Sequence, residues 1–160
     1  LGGEESGGYA LASLLPDRDG SINALLMLDL LLEVDLKPSQ MVDQICNEYG
    51  NSYYERRDLH LSQPVDGDRL KVAAESELMD LLGSNGFHVA SRLTIDGLKA
   101  FFEDGSWILL RASGTEPLVR VYVETPTKKM TRQILDLAAS WVENKVSSNA
   151  LANKDEIARL

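Results

Sequence analysis

The chain has 160 residues, of which 44% are hydrophobic and 26% charged, and its 25 acidic and 16 basic side chains leave a formal net charge of -9. That length and balance suit one ordinary globular domain with an appendage and exclude a disordered chain. They also exclude a general nucleic-acid or anionic-membrane surface, since either needs a broad basic patch, so any anion site must be local.

Taken in chain order, residues 2–8 form a glycine-rich loop, "GGEESGGY" through Tyr9, followed by a short apolar strand candidate at 10–15 that Pro16 ends. Asp19 or Ser21 can cap a helix over 22–33 whose leucines nearly encircle it, so that helix needs burial on most sides. A second helix is expected over 39–49, with Pro38 at its entry and Gly50 as its stop. Cys46 is the single cysteine and has no internal disulfide partner. It falls with Val42, Ile45 and Tyr49 on an apolar helix face, and a reducing, cytoplasmic compartment is expected. The apolar run 25–32 is broken by Asp29 and falls short of the roughly 20 residues of a membrane span, and no signal peptide is expected from its opening residues. The start inside a glycine-rich loop, without an initiator methionine, gives the expectation of a chain taken from a longer one.

After 50–52 the periodicity changes. A strand is expected over 53–62, with Leu59 and Leu61 two apart, then a helix capped by Asp66 or Asp68 and reaching about Leu82. Further strands are expected within 88–102, in one or two pieces, at 106–112 and at 118–124, with "EDG" at 103–105 as a turn. The last helix, about 127–145, carries Met130, Ile134, Leu137, Ala138, Trp141 and Val142 as its apolar stripe, and a frayed, disordered tail is expected over 147–160. Residues 51–146 thus read as α+β: a small antiparallel sheet with two helices on one face. Residues 1–50 read as a mainly helical remnant that needs a partner for its apolar surface.

Between the strands at 106–112 and 118–124 lies "RASGTEPLVR". Gly114 is expected to take a positive φ and to admit a ligand close to the backbone, and Pro117 fixes the exit of the turn. Backbone N–H groups of such a turn can converge on an anion; Ser113 and Thr115 add hydroxyls, and Arg111 and Arg120 add planar forks suited to two phosphate oxygens. Alternation puts Val119, Val121 and Val123 on one strand face and Arg120, Tyr122 and Glu124 on the other. The same residues also suit an ordinary hairpin with surface arginines, one of them paired to Glu116 or Glu124.

"RASGTEPLVRVYVE" at 111–124 closely resembles the phosphate-binding loop in the C-terminal domain of the phosphohexomutases, the phosphoglucomutase and phosphomannomutase superfamily. Gly3, Glu4, Glu5, Ser6 and Gly7 resemble the family's sugar loop, Gly-Glu-x-Ser-Gly, and "DRDGSINALLMLDLLL" is similar to the helix that follows it. On chemistry alone the loop is equally a flexible connection or a polyol site. The resemblance implies that Glu4 and Ser6 contact sugar hydroxyls and that Arg111, Ser113, Gly114, Thr115 and Arg120 hold the substrate phosphate. It further implies the end of a third domain at 1–50, a TATA-box-binding-protein-like fourth domain at 51–146, and a hexose phosphate partner. In the family, hexose 1-phosphate and hexose 6-phosphate are interconverted through a bisphosphate by a phosphoserine and Mg2+ held in earlier domains. No serine loop of that kind is found, so no catalytic residue is expected here, and the earlier domains become expected partners. Gly8 stands where several members have histidine, which leaves glucose, mannose and glucosamine phosphates open. "DGDR" at 66–69 is similar to the family metal loop but has two aspartates rather than three and opens a helix, so helix capping is expected of Asp66 and Asp68, and no metal site. His60, His88, Lys128 and Lys129 are read as surface or structural residues and Trp141 as core. A non-catalytic phosphate-binding module, and an interaction domain whose arginines serve only ion pairs, are the readings that compete.

Overall fold

The computed structural model describes residues 1–4, 7–14, 17–148 and 150–151. The chain divides into two compact units, Leu1–Gly50 and Asn51–Leu160.

In the first unit, strands β1 (Gly2–Gly3) and β2 (Tyr9–Ala10) pair antiparallel, with Gly2 opposite Ala10. Helix α1 (Gly20–Val34) begins where the Asp19 carboxylate accepts from the Ser21 and Ile22 amides at 2.8 and 2.9 Å. Those two amides have no carbonyl partner inside the helix, and for this reason an aspartate is favoured there. The helix closes at Asp35 in the left-handed region, φ 49°. Helix α2 (Pro38–Tyr49) has Pro38 in its first turn, where the missing N–H costs nothing, and stops at Gly50 with φ 88°. Neither helix buries a residue, and Leu25, Leu28 and Leu32 of α1 are exposed.

The second unit holds one five-stranded antiparallel sheet. Its strands are β3 (Tyr53–His60), β4 (Val89–Leu93), β5 (Leu98–Phe102), β6 (Trp107–Ala112) and β7 (Leu118–Thr125), in the spatial order β3-β7-β6-β5-β4. The expected strand region 88–102 is two strands, because Gly97, at φ 83°, turns the chain between them. Alternation selects the core face: Leu59, Leu98, Ala100, Phe102, Ile108, Leu110, Val119, Val121 and Val123 all lie in one buried cluster. Helix α3 (Gly67–Ala73) passes through a π-helical segment (Ala74–Leu78) into α4 (Met79–Ser84), and together they contribute Leu70, Ala74, Leu78 and Leu82. Helix α5 (Lys128–Ser147) contributes Ile134, Leu135, Ala138, Trp141 and Val142. Each fully buried leucine, isoleucine or valine stabilises the fold by about 1.5–3 kcal/mol through removal from water.

Thr131, buried in α5, donates to the Tyr53 carbonyl of β3 at 2.8 Å and lies 2.9 Å from the Thr125 hydroxyl of β7, which ties the helix to the sheet. Beyond α5, Leu151 is buried and its carbonyl accepts from the Asp66 amide at 3.1 Å. Of the tail expected over 147–160, residues 149 and 152–160 lie outside the described residues. The sheet face opposite the helices is clad rather than bare. Lys99 Nζ sits 3.8 Å from the centre of the Trp107 ring, and the Arg56 guanidinium lies 5.6 Å from that of Tyr122.

Candidate functional site

Strands β6 and β7 present Arg111 and Arg120 directly opposite each other, on the sheet face away from the helices. The six residues between Arg111 and Leu118 close the hairpin. The Ser113 amide donates to the Leu118 carbonyl at 2.8 Å, and the Pro117 carbonyl accepts from the Leu61 amide at 2.8 Å. Within the turn, Ser113 Oγ accepts from the Thr115 and Glu116 amides at 3.4 and 3.3 Å. These bonds are long, so both amides are only weakly engaged. Gly114 departs from expectation in one respect: it is not among the glycines with positive φ, because the serine-centred turn needs no left-handed residue there. A Cβ on Gly114 would meet nothing within 4 Å, so the backbone at the tip stays open to approach.

Arg111, Ser113, Gly114 and Thr115 line one cavity of about 580 Å³, together with Asp66, Asp68, Lys71, Asp96 and Glu116. Arg120 is not among the lining residues. Its Nε is buried with no hydrogen-bond partner among the described residues, and across the β3–β7 pair Arg120 faces Asp58. The Asp58 carboxyl is held below its ordinary range chiefly by two 2.6 Å hydrogen bonds from Arg56, with partial burial opposing and the charges of Arg56 and Arg120 adding. Arg111 pairs with neither Glu116 nor Glu124 but with Asp96, whose Oδ2 lies 3.1 Å from its Nε. Glu124 instead accepts from the Ser52 hydroxyl. Two facing arginines therefore coexist because a carboxylate from a different strand or turn stands beside each.

In the loop of the first unit, Glu4 Oε2 accepts from Arg18 Nη1 at 2.5 Å. Gly8 is pressed beneath this pair: a Cβ there would fall 2.9 Å from Arg18 Cδ and 3.1 Å from Glu4 Oε2. Ser6, the other expected sugar contact, lies outside the described residues.

Asp66 caps α3, accepting from the Asp68 and Arg69 amides at 2.9 and 3.1 Å, and Asp68 pairs with Lys71 at 2.9 Å. With both carboxylates so engaged they do not fit a divalent ion, and among the described residues no group of three or more His, Cys, Asp or Glu could hold one. His60, His88, Lys128 and Lys129 are exposed, and Trp141 is in the core.

The phosphoglucomutase/phosphomannomutase C-terminal domain matches residues 65–140, and the alpha/beta/alpha domain III of the same family matches residues 1–49. The chain belongs to the phosphoglucomutase/phosphomannomutase superfamily. A phosphoglucomutase/phosphomannomutase of Thermococcus kodakarensis is 30% identical over 89% of the chain and 28% of its own length. A phosphoglucosamine mutase of Methanococcus maripaludis is 31% identical over 93% of the chain and 31% of its own length. A phosphopentomutase of Thermococcus kodakarensis is 30% identical over 78% of the chain and 27% of its own length. The chain thus spans less than a third of these relatives. A crystal structure of a phosphoglucomutase/phosphomannomutase family protein from Burkholderia thailandensis shares the fold, with a TM-score of 0.56 and 23% identity over 94% of the chain and 29% of that protein. Among the described residues no helix is long and apolar enough to cross a membrane.

In this superfamily member, sequence reasoning passed over four charged neighbours of the candidate residues: Asp96, Asp58, Lys71 and Arg18. Asp96 had a signal, an Asp-Gly pair between two strands. Asp58 had none short of the strand register.

Proposed function

We propose that this chain is the phosphate- and sugar-gripping part of a phosphohexomutase of the phosphoglucomutase/phosphomannomutase type. The whole enzyme interconverts hexose 1-phosphate and hexose 6-phosphate through a bisphosphate intermediate. The observation that carries this reading is the cavity that gathers Arg111, Ser113, Gly114 and Thr115 at one hairpin. In this reading Arg111 offers N–H donors to two oxygens of the phosphate that is not being transferred, and Ser113 and Thr115 offer hydroxyls. A phosphate oxygen is a stronger acceptor than Ser113 Oγ, so it draws the Thr115 and Glu116 amides away from their 3.3–3.4 Å contacts. Arg120 adds positive potential from behind, through a guanidinium whose Nε is already desolvated. Glu4 and Ser6 read the sugar hydroxyls. When the unit closes over the substrate it excludes water during phosphoryl transfer.

The phosphoserine and Mg2+ of the family reaction belong, in this reading, to other parts of a longer cytoplasmic protein. Asp66 and Asp68 are engaged by the amides that open α3 and by Lys71. Glucosamine phosphate is a second substrate reading, favoured by the relative of that name at 31% identity.

An NMR titration of the chain with inorganic phosphate, glucose 1-phosphate and glucosamine 6-phosphate tests the assignment. The amides at 113–116 are expected to shift, and Arg111→Ala is expected to abolish the shifts while keeping a folded spectrum. Absence of any shift in the unaltered chain refutes the phosphate-binding role. The chain alone is expected to show no glucose 1-phosphate to glucose 6-phosphate conversion.

A further inference from the structure

Among the carboxylates that line the cavity, Asp66 is occupied with the amides that open α3 and Asp68 with Lys71. Asp96 is different, because its partner is Arg111, the cation proposed to take the ligand. The pairing is built into the backbone. Gly97 holds φ 83°, and a Cβ there would fall 2.1 Å from the Leu110 carbonyl oxygen and 3.2 Å from the Arg111 Cα. Only glycine lets the turn lie flat against β6 at this point, and the flat turn sets the preceding carboxylate beside Arg111. Both side chains are about half exposed, 47% for Arg111 and 64% for Asp96, and Arg111 Nε lies 3.1 Å from Asp96 Oδ2.

We infer that Asp96 is a resident stand-in anion for the phosphate: it neutralises Arg111 while the cavity is empty and is displaced, or left facing the ligand's charge, when phosphate binds. This rests on the phosphate reading above and adds a residue that tunes the grip. Its consequence suits a reaction through a bisphosphate, in which the clamp must release one phosphate end and take the other. An exposed ion pair is weak enough to yield to a dianion, yet it lowers the affinity for every phosphate equally. Removing one unit charge beside the ligand is worth about three- to tenfold in affinity at low ionic strength.

The test is titration of inorganic phosphate into the chain, into Asp96→Ala and into Asp96→Glu, followed at the 113–116 amides in about 10 mM salt. Asp96→Ala is expected to bind about three- to tenfold more tightly, Asp96→Glu within about twofold of the unaltered chain, and the gain is expected to vanish in about 0.5 M salt. The Arg111 Nε–H resonance is expected to move on Asp96→Ala without phosphate, a readout that a purely structural role in the turn does not require. Unchanged or weaker binding by a folded Asp96→Ala, in a background where the unaltered chain binds, overturns the stand-in role and leaves the phosphate site standing. If neither the unaltered chain nor Asp96→Ala binds phosphate, both readings fall together.

Discussion

Two glycines of the second unit share almost the same backbone angle and differ in what stands over them, which makes a controlled experiment. Gly97 has φ 83° and Gly105 has φ 84°. A Cβ on Gly105 meets nothing within 4 Å, whereas one on Gly97 falls 2.1 Å from the Leu110 carbonyl oxygen. Gly105→Ala therefore measures backbone strain alone, about 1–2 kcal/mol for an L-residue held at positive φ. Gly97→Ala carries the same strain and must also separate the start of β5 from β6, next to Leu98 and Leu110, each 1% exposed. Forcing atoms into a packed site of this kind costs about 1–3 kcal/mol more. The expected totals are about 1–2 kcal/mol for Gly105→Ala and roughly 2–5 kcal/mol for Gly97→Ala. Urea denaturation of both variants at a common slope reads the difference directly. Equal losses in stability would show that the turn swings clear of β6 at little cost, and would remove the backbone argument that seats Asp96 beside Arg111.

Two further substitutions address the second unit. Thr131→Val keeps shape but removes the donor to the Tyr53 carbonyl at 2.8 Å, and is expected to cost about 1–2 kcal/mol in urea denaturation; a neutral result means that water reaches that carbonyl in the folded state. The Asp58 carboxyl lies below its ordinary value of 3.8 in the fold, so its stabilising share is present above about pH 4 and is lost as pH falls through the depressed value. Asp58→Asn is expected to be less stable than the parent at pH 6, with the gap closing toward pH 2; a gap that stays constant across that range contradicts the charge-based account.

Local rules made much of the second unit legible in the sequence. Of the two caps expected for α3, Asp66 is the one that accepts from the amides opening the helix, and the last helix starts next to Thr127, where it was expected. Alternation in β7 put Val119, Val121 and Val123 on one strand face, and the structure buries that face in the core. The candidate site was less legible, because its geometry depends on register. That Asp58 faces Arg120, and that a turn after β4 brings Asp96 to Arg111, follows from how strands align and not from residues near in sequence. Tyr122 is a related case: alternation assigns it to the face away from the helices, yet it is buried, with the Arg56 guanidinium 5.6 Å from its ring centre. The π-helical segment at Ala74–Leu78 left no mark in the 3.6-residue pattern, since its buried Ala74 and Leu78 keep the spacing of four that an ordinary helix also uses.

The order of the sheet has a consequence for the hairpin at 111–120. Its two strands are interior ones, each flanked by a neighbour on both sides, with β5 beyond β6 and β3 beyond β7. A loop rooted in edge strands can fray by itself, but this one can loosen at its base only if the sheet comes apart. Amide hydrogens at its roots are therefore expected to exchange only with opening of the whole unit, and those at its tip to exchange by local opening. Stiff roots under a yielding tip allow a binding loop to adapt to an anion without surrendering the position of the arginines that flank it.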